Sequence, residues 1–128
     1  MPPHVGLRGQ ATRQVTADAT AERLGSGDVP VFGTPALVAL LEAAAVNALA
    51  GQLAAGETTV GTRIELSHLA ATPVGAEVHA EAELVAVEGR KLTFTASAFD
   101  PREQIGACRH ERVIVPRERF LARVREKS

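Results

Sequence analysis

The chain has 128 residues with a formal net charge of −1, and 45% of its residues are hydrophobic while 23% are charged. This length predicts a single domain, residues 1–128, with enough apolar residues to bury a core. The near-neutral charge excludes the strongly basic surface typical of nucleic-acid-binding proteins, and the absence of Trp and Tyr removes most stacking platforms for single strands.

The single cysteine, Cys108, rules out a disulfide within the chain and indicates a reducing compartment. The N-terminal sequence MPPHVGLRGQ lacks the charged-then-apolar pattern of a secretion signal. We therefore expect a cytoplasmic protein that binds neither membrane nor nucleic acid. No His, Cys and Asp residues have the spacing of metal ligands, so we expect no metal and no cofactor.

The first elements in chain order are a strand, a loop and a long helix. Weak alternation predicts a strand over residues 9–17, and Gly and Pro predict a loop over residues 24–33. Thr34 can cap the start of the following helix, and Pro35 suits its first position. Residues 36–49 are Ala, Leu and Val, with only Glu42 and Asn47 as exceptions, a run too short to span a bilayer.

Glu42 is the only acidic residue in this apolar helix. A helix that is apolar nearly all round is buried on most of its sides. A buried carboxylate is costly unless it is paired or functional. The pattern therefore predicts either a functional site at Glu42 or a structural pairing with His68 or Asn47.

Four runs typical of strands follow, separated by turn signals, at residues 58–70, 77–87, 91–99 and 104–115. The charged, amphipathic pattern of residues 117–127 predicts a short helix.

The order of these elements predicts an α+β fold with a curled sheet wrapped around the helix, because it consists of one strand, a long helix and a four-strand antiparallel meander. Because one sheet leaves a flank of an apolar helix uncovered, we expect a homodimer, and the sequence leaves open whether dimers pair into tetramers.

Four segments resemble the fluoroacetyl-CoA thioesterase-like family of hot-dog fold thioesterases, and the resemblance extends from about residue 12 to the end of the chain. They are VFGTPALVALLEAAAV (31–46), GTRIELSHLAATPVG (61–75), VEGRKL (87–92) and IGACRHERVIV (105–115). The resemblance implies a hot-dog fold and hydrolysis of a small or medium acyl-CoA thioester to a carboxylate and free CoA. It also implies an active site at a dimer interface, with a catalytic set that matches Thr34, Glu42 and His68.

These residue types suit thioester hydrolysis. Free N–H groups at the start of the helix can stabilise an oxyanion, Glu42 can act as general base or nucleophile, and His68 can transfer a proton. Thr34 can attack, position water or donate a hydrogen bond. Eight residues of helix separate Thr34 from Glu42 by about 12 Å. Unless the loop at Thr34 folds back, we therefore expect Glu42 of one chain to approach Thr34 of the other.

Substrate contacts are expected from two groups of residues. Arg63, Arg90 and Lys91 are candidates for the CoA phosphates, although each also suits a solvated surface. Gly61 either lets substrate approach the backbone closely or marks a β-bulge.

The stretch before the catalytic threonine departs from the family, because the fluoroacetyl-specific enzyme has a longer lid there that carries Phe. Here the stretch offers only Phe32, with Val29 and Val31, as apolar contacts for the acyl group. We therefore expect a different and broader acyl range.

Other interpretations remain open. Thr34 could be only an N-cap and His68 only a structural residue, while His110 is expected to support the sheet and Cys108 to fill the core. The same fold could also form a non-catalytic acyl-CoA or small-ligand binding module. A hydratase-like lyase is a further alternative, against which stands the absence of a paired Asp and His in one short loop-helix motif.

Overall fold

The computed structural model describes residues 2–128. The elements in chain order are β1 (Arg8–Gln14), a 3-10 turn (Ala17–Ala19), α1 (Ala21–Leu24), α2 (Thr34–Ala48), β2 (Glu57–His68), β3 (Glu77–Glu88), β4 (Lys91–Phe99), β5 (Gln104–Pro116) and α3 (Arg117–Arg125). The predicted strands, long helix and C-terminal helix are therefore confirmed, with ends that differ by up to three residues. The turn and α1, between β1 and the long helix, were not predicted.

The five strands form one antiparallel sheet in the order β1-β3-β4-β5-β2, curled around α2. This confirms the predicted α+β class and the predicted relation of sheet to helix. The four-strand meander is correct for β3, β4 and β5 but wrong for β2, which pairs with β5 and forms an edge of the sheet.

The connection between β2 and β3 explains this difference. It is too long for a tight hairpin, and it hydrogen-bonds to the segment before α2 instead of closing onto β3. The Phe32 N–H donates to the Thr72 carbonyl at 2.9 Å, and Val31 forms a bridge with Pro73. These bonds hold the connection against the segment that leads into α2, so the chain passes the N-terminal end of the helix before β3 begins.

The core lies between α2 and the inner face of the sheet. Alternate residues of β3 point inward and are buried at Val78, Ala80, Ala82 and Leu84. The helix contributes Leu37, Leu40, Leu41, Ala44, Ala45 and Ala48. Each buried leucine stabilises the fold by roughly 1.5–3 kcal/mol.

Small residues bring α2 close to the sheet at β1. A Cβ atom at Gly9 would lie 2.2 Å from the Ala48 nitrogen and 2.4 Å from the Ala44 oxygen. No side chain fits in that space, so the glycine is required for β1 to contact the helix backbone directly.

The helix begins differently from the prediction. Its N-cap is Gly33, while Thr34 is the first helical residue and makes no capping bond. The prediction that the Thr34 side chain caps the helix is therefore wrong. The physical reason is that the Thr34 hydroxyl is engaged by His68 on β2.

One flank of α2 is exposed in the single chain. It carries Ala39, Ala43 and Val46, of which Val46 is 49% exposed. Glu42 lies on this flank with a side chain that is 38% exposed. The single chain thus does not surround its most apolar helix.

Within residues 2–128, no helix is both long enough and apolar enough to cross a membrane.

Candidate active site

The start of α2 and the end of β2 meet at a hydrogen-bonded pair of polar side chains. His68 is the last residue of β2, and its Nδ1 atom lies 2.8 Å from the Thr34 hydroxyl oxygen. Gly106 lies opposite His68 on β5, where a Cβ atom would meet Leu37 at 2.9 Å. The small residue lets the first turn of the helix pack closely against β5, beside the strand that carries the histidine.

The environment of His68 favours its neutral form. Burial lowers the pKa of His68 from its ordinary value of 6.5, so at neutral pH its ring can accept the Thr34 proton through Nδ1. The second ring nitrogen, Nε2, is buried and meets no hydrogen-bond partner among the described residues. When Thr34 donates to Nδ1, the ring proton sits on Nε2 and requires an acceptor from a water or a second chain.

Backbone donors adjoin this pair. The intrahelical bonds of α2 begin with the Leu37 N–H, which donates to the Gly33 carbonyl at 3.0 Å. The N–H groups of Thr34 and Ala36 therefore have no acceptor within the helix, and the positive end of the helix dipole lies beside the threonine. This arrangement suits a developing oxyanion.

A second polar cluster lies two turns further along α2. Arg112 on β5 donates from Nη1 to Glu42 Oε2 at 3.1 Å, and His110 Nε2 lies 3.7 Å from the same oxygen. The guanidinium is fixed from the other side by Thr59, whose hydroxyl accepts from Nε at 3.0 Å and whose carbonyl accepts from Nη2 at 3.2 Å. The Glu42 carboxylate thus faces a guanidinium that is fixed in place by β2.

The sequence reasoning missed Arg112 and Thr59. Arg112 is only 7% exposed and His110 only 2%, because both occupy inward positions of β5 together with Cys108. A signal was present: alternation along residues 104–115 puts a charged residue on the face that should be apolar. Such a residue is expected to have a buried partner.

Gly61 makes room for the Glu42 carboxylate. The pairing of β2 with β5 shifts register between Gly61 and Arg63, so the predicted alternative of a β-bulge is found here. A Cβ atom at residue 61 would lie 2.6 Å from Glu42 Oε2 and 3.1 Å from His110 Cε1. In the single chain, the group that approaches this glycine is therefore the carboxylate.

Cys108 lies near this cluster as a buried thiol. Burial, together with the nearby charge of Glu42, raises the pKa of the Cys108 thiol to about 11, although a backbone hydrogen bond at Ala96 opposes the rise. The thiol stays protonated at neutral pH, so Cys108 fills space in the core, as expected, and is no nucleophile.

The basic candidates lie away from the Thr34–His68 pair. Arg90 contacts Glu57 at 3.3 Å, at the opposite end of β2 from His68, and Lys91 contacts Glu88 at 3.7 Å. Arg63 pairs with Glu65 at 3.0 Å, and both side chains are largely exposed. Contact of these residues with CoA stays a prediction.

Phe32 belongs to the core in this structure. It is 1% exposed, and the Arg13 guanidinium lies 5.9 Å from the centre of its ring. Substrate would reach Phe32 only after a displacement of the segment that precedes α2. Its contact with the acyl group likewise stays a prediction.

The single chain contains two polar clusters, and no hydrogen bond connects them in the part of the chain that the structure describes. One is Thr34 with His68, and the other is Glu42 with Arg112 and His110. Among residues 2–128, no three His, Cys, Asp or Glu side chains approach closely enough to hold a metal ion.

Comparison with known proteins places this chain in a family. Residues 15–118 match the family FlK, described as fluoroacetyl-CoA-specific thioesterase. The fluoroacetyl-CoA thioesterase of Streptantibioticus cattleyicolor is 46% identical over 98 residues, which are 77% of this chain and 70% of that protein.

Solved structures agree with this match over the whole fold. A structure of the fluoroacetyl-CoA thioesterase FlK has a TM-score of 0.92 and 38% identity, covering 100% of this chain and 99% of that one. A thioesterase superfamily member from Thermus thermophilus has a TM-score of 0.89 and 29% identity, covering 98% of this chain and 94% of that one. The predicted hot-dog fold is confirmed, and the chain belongs to the FlK family of fluoroacetyl-CoA-specific thioesterases.

Proposed function

We propose that this chain, a thioester hydrolase by its family, hydrolyses small or medium acyl-CoA thioesters to a carboxylate and free CoA through Thr34, His68 and Glu42. The observation that carries the proposal is the 2.8 Å hydrogen bond between Thr34 and His68 at the N-terminus of α2. It joins a hydroxyl, a neutral imidazole and unpaired backbone N–H groups, which are the parts of an acyl-transfer site.

In this mechanism the Thr34 hydroxyl oxygen attacks the thioester carbonyl while His68 Nδ1 takes its proton. The carbonyl oxygen becomes an oxyanion that the N–H groups of the first helical turn stabilise. Collapse of the tetrahedral intermediate breaks the C–S bond, and the His68 imidazolium returns the proton to the CoA sulfur. An acyl ester on Thr34 remains.

Water then hydrolyses the Thr34 ester. Glu42 acts as the general base that orients and deprotonates this water, and Arg112 orients its carboxylate by donating a hydrogen bond to it at 3.1 Å. The water oxygen bonds to the ester carbon, and the bond from that carbon to the Thr34 oxygen breaks. The Thr34 oxygen takes the proton that Glu42 accepted from water, and the acid product leaves as a carboxylate after losing its proton to solvent.

A second copy of the chain completes this site. Thr34 and Glu42 of one helix are about 12 Å apart, too far to act on one carbonyl carbon. The exposed flank of α2 and the edge strand β2 are adjacent apolar and backbone surfaces that a two-fold partner can cover. In this dimer Glu42 of the partner subunit serves the Thr34–His68 pair.

The same arrangement gives the basic residues a role. β2 is 12 residues long, which corresponds to about 36 Å from Glu57 to His68. Antiparallel pairing of two β2 edges brings the partner's Arg90 toward the end that carries His68. Arg90, Lys91 and Arg63 are therefore the residues we propose for the CoA phosphates.

The proposed acyl range is broader than fluoroacetyl alone. The segment before α2, residues 24–33, is short, and its exposed apolar residues are Leu24 and Val29. A hollow of about 280 Å³ is lined in part by Val46 and by Thr59, the residue that accepts hydrogen bonds from Arg112. This volume is near the lower end of ligand pockets, about 300 Å³, and favours short acyl groups.

A cytoplasmic location is also part of the proposal. It is supported by Cys108, a free and buried thiol, which suits a reducing compartment.

The experiment measures CoA release from fluoroacetyl-, acetyl-, butyryl- and hexanoyl-CoA with a thiol reagent. We expect turnover of several short acyl groups, and its loss in Thr34→Val. Tight binding of acyl-CoA without CoA release would support the non-catalytic binding module instead.

A further inference from the structure

His110 contacts a hydrogen-bond acceptor through one ring nitrogen and a hydrogen-bond donor through the other, and the proposed mechanism uses neither contact. It lies on the inner face of β5 and is 2% exposed. Its Nδ1 atom is 2.8 Å from the Arg63 carbonyl oxygen, and its Nε2 atom is 3.1 Å from Arg112 Nη1. The ring also packs near Phe94, with 6.3 Å between the ring centres.

These two contacts select one form of the imidazole. A carbonyl oxygen can only accept, so Nδ1 must carry a proton. A guanidinium can only donate, so Nε2 must present a lone pair. Only the neutral ring protonated at Nδ1 satisfies both contacts, whereas a doubly protonated ring would set two donors, Nε2–H and Nη1–H, against each other.

The β-bulge in β2 supplies the acceptor that makes this selection. The register with β5 shifts between Gly61 and Arg63, so that Ile64 lies opposite His110. A bulge disrupts the ladder locally and re-aims the groups beside it. The Arg63 carbonyl is thereby available to a side chain, and it accepts from His110.

We propose that His110 is a positioning residue for the thioesterase reaction, because it holds Arg112 Nη1 in the direction of Glu42. With His110 in place, each guanidinium nitrogen of Arg112 has an acceptor: Thr59 for Nε and Nη2, and Glu42 with His110 for Nη1. Without it, Nη1 is left with Glu42 alone, whose side chain is 38% exposed.

The tautomer has a second consequence for Glu42. His110 Nε2 lies 3.7 Å from Glu42 Oε2 but presents a lone pair to it instead of a proton. The carboxylate therefore receives a hydrogen bond from Arg112 and none from the histidine. Its remaining lone pairs stay available to water, as a general base requires.

The test uses three variants at this residue. In His110→Gln the amide oxygen can replace Nε2 as the acceptor for Arg112. In His110→Asn the amide nitrogen can replace Nδ1 as the donor to the Arg63 carbonyl. In His110→Phe a ring remains but both hydrogen bonds are lost. We expect His110→Gln to retain kcat within about threefold, while His110→Asn and His110→Phe lose at least about tenfold in kcat with KM changed less than about threefold. Cys108→Ala, on the same face of β5, is the control with unchanged kcat.

A spectroscopic measurement on the unmutated protein tests the same inference without a substitution. The ¹⁵N shifts of His110 at neutral pH should show a protonated Nδ1 and an unprotonated Nε2. A proton on Nε2 would overturn the proposal, as would folded His110→Asn with the kcat of the wild-type chain.

The inference rests on the proposed role of Glu42, and the two can fail separately. Full turnover in Glu42→Gln would overturn the role of Glu42 and with it the reason to position Arg112, whatever the ring tautomer. Loss of turnover in Glu42→Gln together with a His110 ring protonated at Nε2 would overturn the inference alone.

Discussion

Substituting Gly61 by alanine should lower turnover by displacing the Glu42 carboxylate. The new Cβ atom would lie 2.6 Å from Glu42 Oε2 and 3.2 Å from Arg112 Nη1. Ordinary contact begins at 3.4 Å, so the carboxylate oxygen must retreat by about 0.8 Å. Because Gly61 has no positive φ, the backbone itself tolerates the alanine.

The magnitude follows from the hydrogen bond that this retreat weakens. The bond from Arg112 to Glu42 measures 3.1 Å, and a retreat directly away from the new Cβ atom would lengthen it to about 3.5 Å, the limit of hydrogen bonding. A hydrogen bond to a charged group contributes about 1.5–3 kcal/mol. Since about 1.4 kcal/mol corresponds to tenfold in rate, we expect kcat of Gly61→Ala to fall by roughly 10- to 100-fold.

The assay compares kcat and melting temperature on the same sample of Gly61→Ala. Thr62→Ala, at the next and exposed position of the same bulge, is the matched control and should keep wild-type kcat. Wild-type kcat in a folded Gly61→Ala protein would refute the reasoning that the glycine exists to seat the carboxylate.

Three further predictions concern proton handling, acid stability and assembly. Because burial holds the pKa of His68 below 6.5, kcat/KM should stay level at neutral pH and fall only below pH 6.5. A fall in kcat/KM that begins above pH 6.5 would contradict this prediction. The variant His68→Ala should lose about 10²–10⁴-fold in kcat. Burial raises the pKa of Asp100, but hydrogen bonds from the Arg102 N–H, the Thr72 hydroxyl and the Glu103 N–H have the larger effect and lower the pKa below 3.8. The ionised carboxylate therefore stabilises the fold above that pH, and this stabilisation is lost on acidification. Asp100→Asn should therefore lose less melting temperature between about pH 5 and pH 3 than the wild-type chain does, and an equal loss would speak against it. Finally, mixing inactive Thr34→Val with inactive Glu42→Gln should restore part of the activity in a dimer, whereas a fully active monomer at micromolar concentration would rule out the shared site.

Much of the fold followed from local pattern. Strand-like runs between turn signals indicated β3, β4 and β5, and the apolar run of residues 36–49 indicated the helix at the centre of the sheet. The pattern could not place β2, because the edge at which a strand pairs depends on the path of the preceding loop. That path is set by bonds such as Phe32 to Thr72, between residues 40 positions apart.

The candidate site was predictable in its members but less so in their partners. Glu42 stood out as a carboxylate in an apolar helix, and Thr34 and His68 followed from the resemblance to the family. The sequence could not show that Thr34 forgoes the capping bond for His68, since that choice depends on how α2 and β2 meet. Arg112 was overlooked because residues 42 and 112 become neighbours only when the sheet curls around the helix.

The most direct test of the account is the turnover of Glu42→Gln on a short acyl-CoA. Glutamine keeps the shape of the side chain and an acceptor for Arg112, but it cannot deprotonate water. We expect a folded dimer with wild-type melting behaviour and nearly complete loss of steady-state CoA release. Near-normal CoA release from properly folded Glu42→Gln would contradict the assignment of Glu42.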